Sequence, residues 1–336
     1  YLDLEYLLNY SCFEFNADIL MFLTYITENK RMLDSILETA VEFMKNWTEF
    51  SLDEINVQYL KESGVKEKVR RNKITIEQKE ANTVELEKKQ YEQNHNSEVA
   101  YLSYREEEVN LVNNQMLRSI WLLNIIARCL PNFEHMMLKD KKQLFVEMIY
   151  KIPNMIFYSW ADLVDKHKVE IASEIMSIIE KQSAFEKKDH VINTPDFPEI
   201  LNVLKGQSLN FYLEILSISV NNSTRENSIP YLKQFPYGSA SSYHLQHIMS
   251  LSDIGDYKNF EREARLLFEK NISPISRYLV RQVVNNTLNN TLDIDFQAVQ
   301  RLENFYFPSE SNTFYKSNNF HKRLVLNQAK IKRKNK

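Results

Sequence analysis

The run Val109-Asn110-Leu111-Val112-Asn113-Asn114-Gln115-Met116-Leu117-Arg118-Ser119-Ile120-Trp121-Leu122-Leu123-Asn124-Ile125-Ile126-Ala127-Arg128-Cys129-Leu130 decides the fold class. Leu111, Val112, Met116, Leu117, Ile120, Trp121, Leu123, Asn124 and Ala127 recur at the helical period and trace one broad apolar face. Glu106-Glu107-Glu108 precede the run, where negative charge favours a helix N-terminus by ~0.3–1 kcal/mol. Pro131 is expected to end the helix, because proline supplies no backbone donor. Asn124 lies on the apolar face. There an unpaired amide would cost roughly 1–3 kcal/mol, so it is expected to bond the backbone of a neighbouring loop.

The same grammar continues downstream. A helix is expected over 133–150, carrying Met136, Met137, Leu144, Phe145, Met148 and Ile149, with Pro153 closing it. Further helices are expected at 160–181, 198–205, 208–220, 242–251, 257–268, 273–288 and 296–305. Between them stand polar or glycine-bearing breaks: Asn193-Thr194-Pro195-Asp196, Lys205-Gly206-Gln207, Asn221-Asn222-Ser223-Thr224 and Asp253-Ile254-Gly255-Asp256. Upstream, Leu4, Leu7 and Leu8, then Ile19, Leu20, Phe22, Leu23 and Ile26, then Met32, Leu33, Ile36, Leu37, Val41, Phe43 and Met44 form two or three more apolar stripes. Helices of this length, each apolar on one face and joined by short loops, match stacked α-solenoid units. The expected fold is therefore all-α, an irregular armadillo/HEAT-like α-solenoid, with a non-repeat bundle as the competing arrangement.

Four parts are expected along the chain. Residues 1–60 form N-terminal helices, and 61–98 a charged insertion of mixed sign, partly disordered. Residues 99–310 form the helical body, and 311–336 a basic tail with Lys330, Lys332, Arg333, Lys334 and Lys336. Such a tail suits nuclear import, nucleic acid, an acidic surface or plain solvation.

Composition narrows the chemistry. The 336 residues carry 42 Lys+Arg against 45 Asp+Glu, a net charge of −3, with 43% apolar and 12% aromatic residues. That is enough to bury a core and speaks against a generally nucleic-acid-binding domain. Only four glycines occur, at 64, 206, 238 and 255, against a usual share of about 7%, which disfavours phosphate loops and a Rossmann crevice. Cys12 and Cys129 are far apart in apolar helical contexts, so neither a disulfide framework nor a zinc set is expected, and a reducing compartment fits. No apolar run reaches the ~18 residues of a membrane span. Tyr1 opens directly on an apolar pattern unlike a signal or transit peptide, as expected of a piece of a longer protein.

No catalytic signature occurs. Of the seven histidines, only His244 and His247 share a helix face, and the nearest acid in sequence, Asp253, lies beyond Ile248-Met249. No metal and no cofactor is expected. Trp47, Trp121 and Trp160 sit at helical spacing beside Leu and Ile and read as core rather than as base-stacking platforms.

Three stretches resemble the C-terminal armadillo-type domain of ARID-family subunits of SWI/SNF-type chromatin remodellers. The first joins Glu106-Glu107-Glu108-Val109-Asn110-Leu111 to Leu122-Leu123-Asn124-Ile125-Ile126-Ala127-Arg128-Cys129-Leu130 and Phe133-Glu134-His135-Met136. The second is Leu213-Glu214-Ile215-Leu216-Ser217-Ile218-Ser219-Val220-Asn221-Asn222. The third is Arg262-Glu263-Ala264-Arg265-Leu266-Leu267-Phe268. The resemblance implies a non-enzymatic core that organises other protein subunits around an ATPase anchor in the nucleus. A cytosolic trafficking or tethering subunit and a nucleic-acid-binding helical repeat stand as alternatives. Exposed arginines flanking the helices are the partner-binding candidates: Arg118, Arg128, Arg262, Arg265, Arg277 and Arg281.

Overall fold

A computed structural model describes residues 14–27, 29–62, 115–185, 197–224, 228–234, 240–270, 273–290 and 296–308. The charged stretch beyond position 62, Glu106-Glu107-Glu108, the start of the 109–130 run and the basic tail lie outside the described residues. Every regular element among the described residues is a helix, so the all-α expectation holds. In chain order they are α1 (Glu14–Thr27), α2 (Lys30–Met44), α3 (Gln58–Glu62), α4 (Gln115–Phe133), α5 (Lys139–Phe185), α6 (Phe197–Ser223), α7 (Ile229–Gln234), α8 (Ser241–Asp253), α9 (Tyr257–Glu269), α10 (Pro274–Asn290) and α11 (Phe296–Tyr306). A 3₁₀ turn, Glu134–Met136, follows α4.

The chain divides into two compact units. One comprises residues 1–67 with 84–280, the other 68–83 with 281–336, and α10 runs through the boundary. In the first unit α4, α5 and α6 pack mutually, α1 and α2 lean on α4, and α8 pairs with α9 while also touching α5 and α6. The core is apolar and aromatic. Phe157 stacks on Tyr212 at 4.5 Å between ring centroids, and Phe50 meets both rings edge-on at 4.6 and 5.4 Å. Such pairs add ~0.5–1.5 kcal/mol beyond their area. Cys129 is buried with its Sγ 3.8 Å from the Met21 sulfur, and burial pushes its thiol up to about 12. In the second unit, Val283, Val284 and Leu288 on α10 and Leu302 and Tyr306 on α11 are buried.

Two expected breaks are not breaks. Pro153 does not close a helix at residue 150: α5 runs for 47 residues straight through it, merging the segments expected at 133–150 and 160–181. Proline at 153 leaves the Ile149 carbonyl without its helical donor. That carbonyl instead accepts from Ser219 Oγ on α6 at 3.0 Å and from Gln246 Nε2 on α8 at 2.9 Å, and Gln246 Nε2 also donates to Ser219 Oγ. The defect in one helix is thus the docking point of two others. The next residue, Asn154, is fully buried: its Nδ2 donates to the Tyr150 carbonyl, its Oδ1 accepts from the Tyr212 hydroxyl at 2.6 Å, and its carbonyl accepts from the Phe50 N–H at 3.1 Å. The buried-asparagine role expected of Asn124 belongs to Asn154. Asn124 is half-buried, and its Oδ1 has no hydrogen-bond partner.

Gly206 is likewise helical, so the segments expected at 198–205 and 208–220 are one helix, α6. A β-carbon at 206 would meet nothing within 4 Å. Gly206→Ala is therefore expected to stabilise the fold by about 0.5–1 kcal/mol, because glycine in a helix interior costs about that much; urea unfolding checks it. Pro131 lies inside its helix, but α4 ends two residues after it, at Phe133, where a 3₁₀ turn takes over. Gly255, at φ 73°, makes the tight turn between α8 and α9 where the sequence places it.

A further organiser is the irregular segment 47–57 between α2 and α3, which the sequence pattern leaves unread. Its Phe50 enters the aromatic core, and Asp53 accepts from the Ser241 N–H at 2.8 Å, from Ser241 Oγ and from Lys270 Nζ. Asp53 thereby caps α8 from 188 positions away. Those donors hold its carboxyl below the usual range although burial opposes them. Glu49 accepts from the Tyr243 hydroxyl, and the Leu52 carbonyl from Ser276 Oγ.

Candidate functional site

The described surface offers two faces that the core does not use. The first is on α1. Leu20, Met21 and Thr24 are buried against the body, which leaves Phe22, Tyr25 and Ile26 62%, 71% and 61% exposed on the opposite side. Their i, i+3, i+4 spacing makes one contiguous apolar stripe. No lysine or arginine occurs in α1 to snorkel over it.

The second face is on α9, whose sequence splits most sharply between apolar and charged sides. Phe260, Ala264 and Leu267 are buried, while Lys258, Arg262, Arg265 and Leu266 are exposed. Asp256 caps the helix through the Asn259 N–H and pairs with Lys233 at 2.9 Å. Its donors, Asn259 first and Lys233 next, hold its carboxyl below the ordinary value. Lys258, Glu261, Arg262, Arg265 and Leu266 line an open depression of about 280 Å³.

α9 also carries one end of a buried polar chain. Glu263, 6% exposed, takes two hydrogen bonds on Oε1, from Arg262 Nε at 3.0 Å and Nη2 at 2.7 Å. Its Oε2 stands 3.1 Å from His244 Nε2 on α8. Burial lowers the His244 pKa, with Glu263 pulling the other way, and burial lowers His247 further, to about 4. The acid that meets the histidine pair is thus Glu263, not Asp253. Antiparallel pairing of α8 and α9 about the Gly255 turn was the signal that could have found it. Asp253 instead accepts from Thr224 Oγ1. Among the described residues no group of three potential metal ligands converges.

The six candidate arginines divide. Arg262 and Arg265 come together on the α9 face. Arg118 lies half-buried over the Phe43 ring at 5.0 Å, and Arg128 donates through Nη1 to Asp18 at 2.9 Å. Arg277 is half-buried over Phe268 at 5.8 Å, and Arg281, in the second unit, is half-buried too. Lys330, Lys332, Arg333, Lys334 and Lys336 lie outside the described residues. The three tryptophans are half-buried rather than central. Trp47 tilts on Phe43 and Trp160 on Phe211.

Lys205 on α6 is buried, 2% exposed, and burial lowers its pKa to about 8. Among the described residues no helix is long and apolar enough to cross a membrane. No family model, no curated protein and no solved structure matches the chain.

Proposed function

We propose that the chain is a non-enzymatic helical scaffold, with armadillo- or HEAT-like stacking of its helices, that organises the core of a SWI/SNF-type chromatin remodelling complex in the nucleus through protein-protein contacts. One observation carries the binding role: the stripe Phe22, Tyr25 and Ile26, more than 60% exposed on a helix whose other side is core. A contiguous apolar face of this kind marks a surface that a partner covers. The nuclear assembly rests on the three resembling stretches, whose described parts fall in α4 with the 3₁₀ turn after it, in α6 and in α9.

Affinity purification of the protein from its own cells, followed by mass spectrometry, tests both parts. Co-elution of a SWI/SNF-type ATPase with actin-related proteins is expected. Recovery of coat, tether or SNARE proteins in their place would move the chain to the trafficking class. A Phe22→Glu/Tyr25→Glu variant is expected to reduce partner recovery at least fivefold, on the order of the ~1 kcal/mol typical of one interface anchor. Its melting temperature should stay within about 2 °C of the parent, since exposed substitutions rarely exceed ~0.5 kcal/mol.

A further inference from the structure

We infer that the outer face of α9 is a docking site for a short acidic peptide segment of a partner subunit, with Lys258, Arg262 and Arg265 receiving its carboxylates and Leu266 one of its apolar side chains. The inference rests on the scaffold-subunit reading above and names the chemistry of one partner.

The three cations stand at i, i+4 and i+7, so they form one stripe about 10 Å long at 1.5 Å rise per residue. An extended segment of three or four residues covers that length. Lys258 sits in the first turn of α9, the end where the helix dipole disfavours cations and favours anions. Carboxylates docked there meet dipole and side chains of the same sign. Arg262 is held in place before any ligand arrives, because two of its nitrogens donate to buried Glu263, which is itself seated against His244. A guanidinium fixed on a rigid helix loses less freedom on binding than a solvated one. Leu266, 52% exposed at the edge of the depression, suits an apolar peptide side chain rather than a phosphate backbone. Glu261 also lines the depression and repels either kind of anion, so a short segment with few charges and an apolar side chain suits the face better than a long polyanion.

The test uses the whole 336-residue chain and a fluorescein-labelled octapeptide of six glutamates and two leucines, read by fluorescence anisotropy at low and at physiological salt. Saturable binding is expected at both, weakened at least tenfold by Arg262→Glu/Arg265→Glu and at least threefold by Leu266→Ala. Lys258→Glu on the exposed rim provides a second charge variant if the double change unfolds the chain. Equal affinity in parent and charge variants overturns the inference. So does tighter binding of an eight-nucleotide single strand than of the peptide, which would mark the face as a phosphate site. The scaffold reading is separable: if the protein brings down its assembly from cells but the octapeptide does not bind, only the α9 inference falls. If the octapeptide binds as expected and no assembly co-elutes, only the scaffold reading falls.

Discussion

Replacing Ser219 with alanine and Gln246 with leucine together is expected to destabilise the fold by about 2–4 kcal/mol, as a buried carbonyl loses both donors. That carbonyl belongs to Ile149, orphaned by Pro153 one turn later and served by Ser219 and Gln246. Gln246→Leu alone should cost less, since it also removes an Oε1 that is buried without a partner. The decisive measurement is a cycle in urea with Pro153→Ala. Alanine at 153 brings back an N–H for Ile149, so in that background the same double change should cost about 1 kcal/mol or less. An undiminished penalty there would mean that Ser219 and Gln246 matter for packing and not for the proline.

Acidification from pH 7 to about 4.5 is expected to remove about 2–3 kcal/mol of stability through His247, ahead of general carboxylate protonation. The imidazole is buried on α8, facing Glu263 and Asp256 of the α9 side, Lys233 of α7 and its own neighbour His244. Burial is the main reason its pKa falls from 6.5 to about 4. A folded value below the unfolded one means that folding favours the neutral ring. The contribution is therefore complete above pH 6.5 and is lost as pH drops towards 4. His244, also lowered by burial, acts in the same direction. The carboxyls held low, Asp53, Glu134 and Asp256, contribute stability above their ordinary values that is lost only at lower pH. His247→Gln should flatten the slope between pH 6.5 and 4.5 by at least half in thermal melts. A parallel slope in parent and variant would assign the acid sensitivity elsewhere.

The late helices were legible in the sequence because local chemistry sets their ends. Gly255 at positive φ, Asp256 as a cap and Pro274 at the first position of α10 place the ends of α8, α9 and α10 within two residues of the expected ones. Pro153 and Gly206 misled for the same reason in reverse. Each is a local helix breaker, and what overrides it is tertiary: two donors from 70 and 97 positions away at one, and packing of the long α6 at the other. Asn154 and Glu263 could not be ranked above Asn124 and Asp253 without knowing which helices lie opposite. The arginines show the limit from the other side. The sequence marks all six alike as exposed, yet Arg118, Arg128 and Arg262 are engaged by Phe43, Asp18 and Glu263, and of the six only Arg262 and Arg265 share a depression.

Segment 47–57 sets a schedule for making the protein. Helical proteins usually fold through near-neighbour contacts, but here Asp53 and Glu49 wait for Ser241 and Tyr243, 188 and 194 positions later. At synthesis rates of about 5–20 residues per second, that delay is roughly 10–40 s. Until Phe157 and Tyr212 have been made, Phe50, about 1% exposed in the finished fold, has no ring to pack against. A nascent chain of this design is a client for whatever shields apolar segments at the ribosome exit.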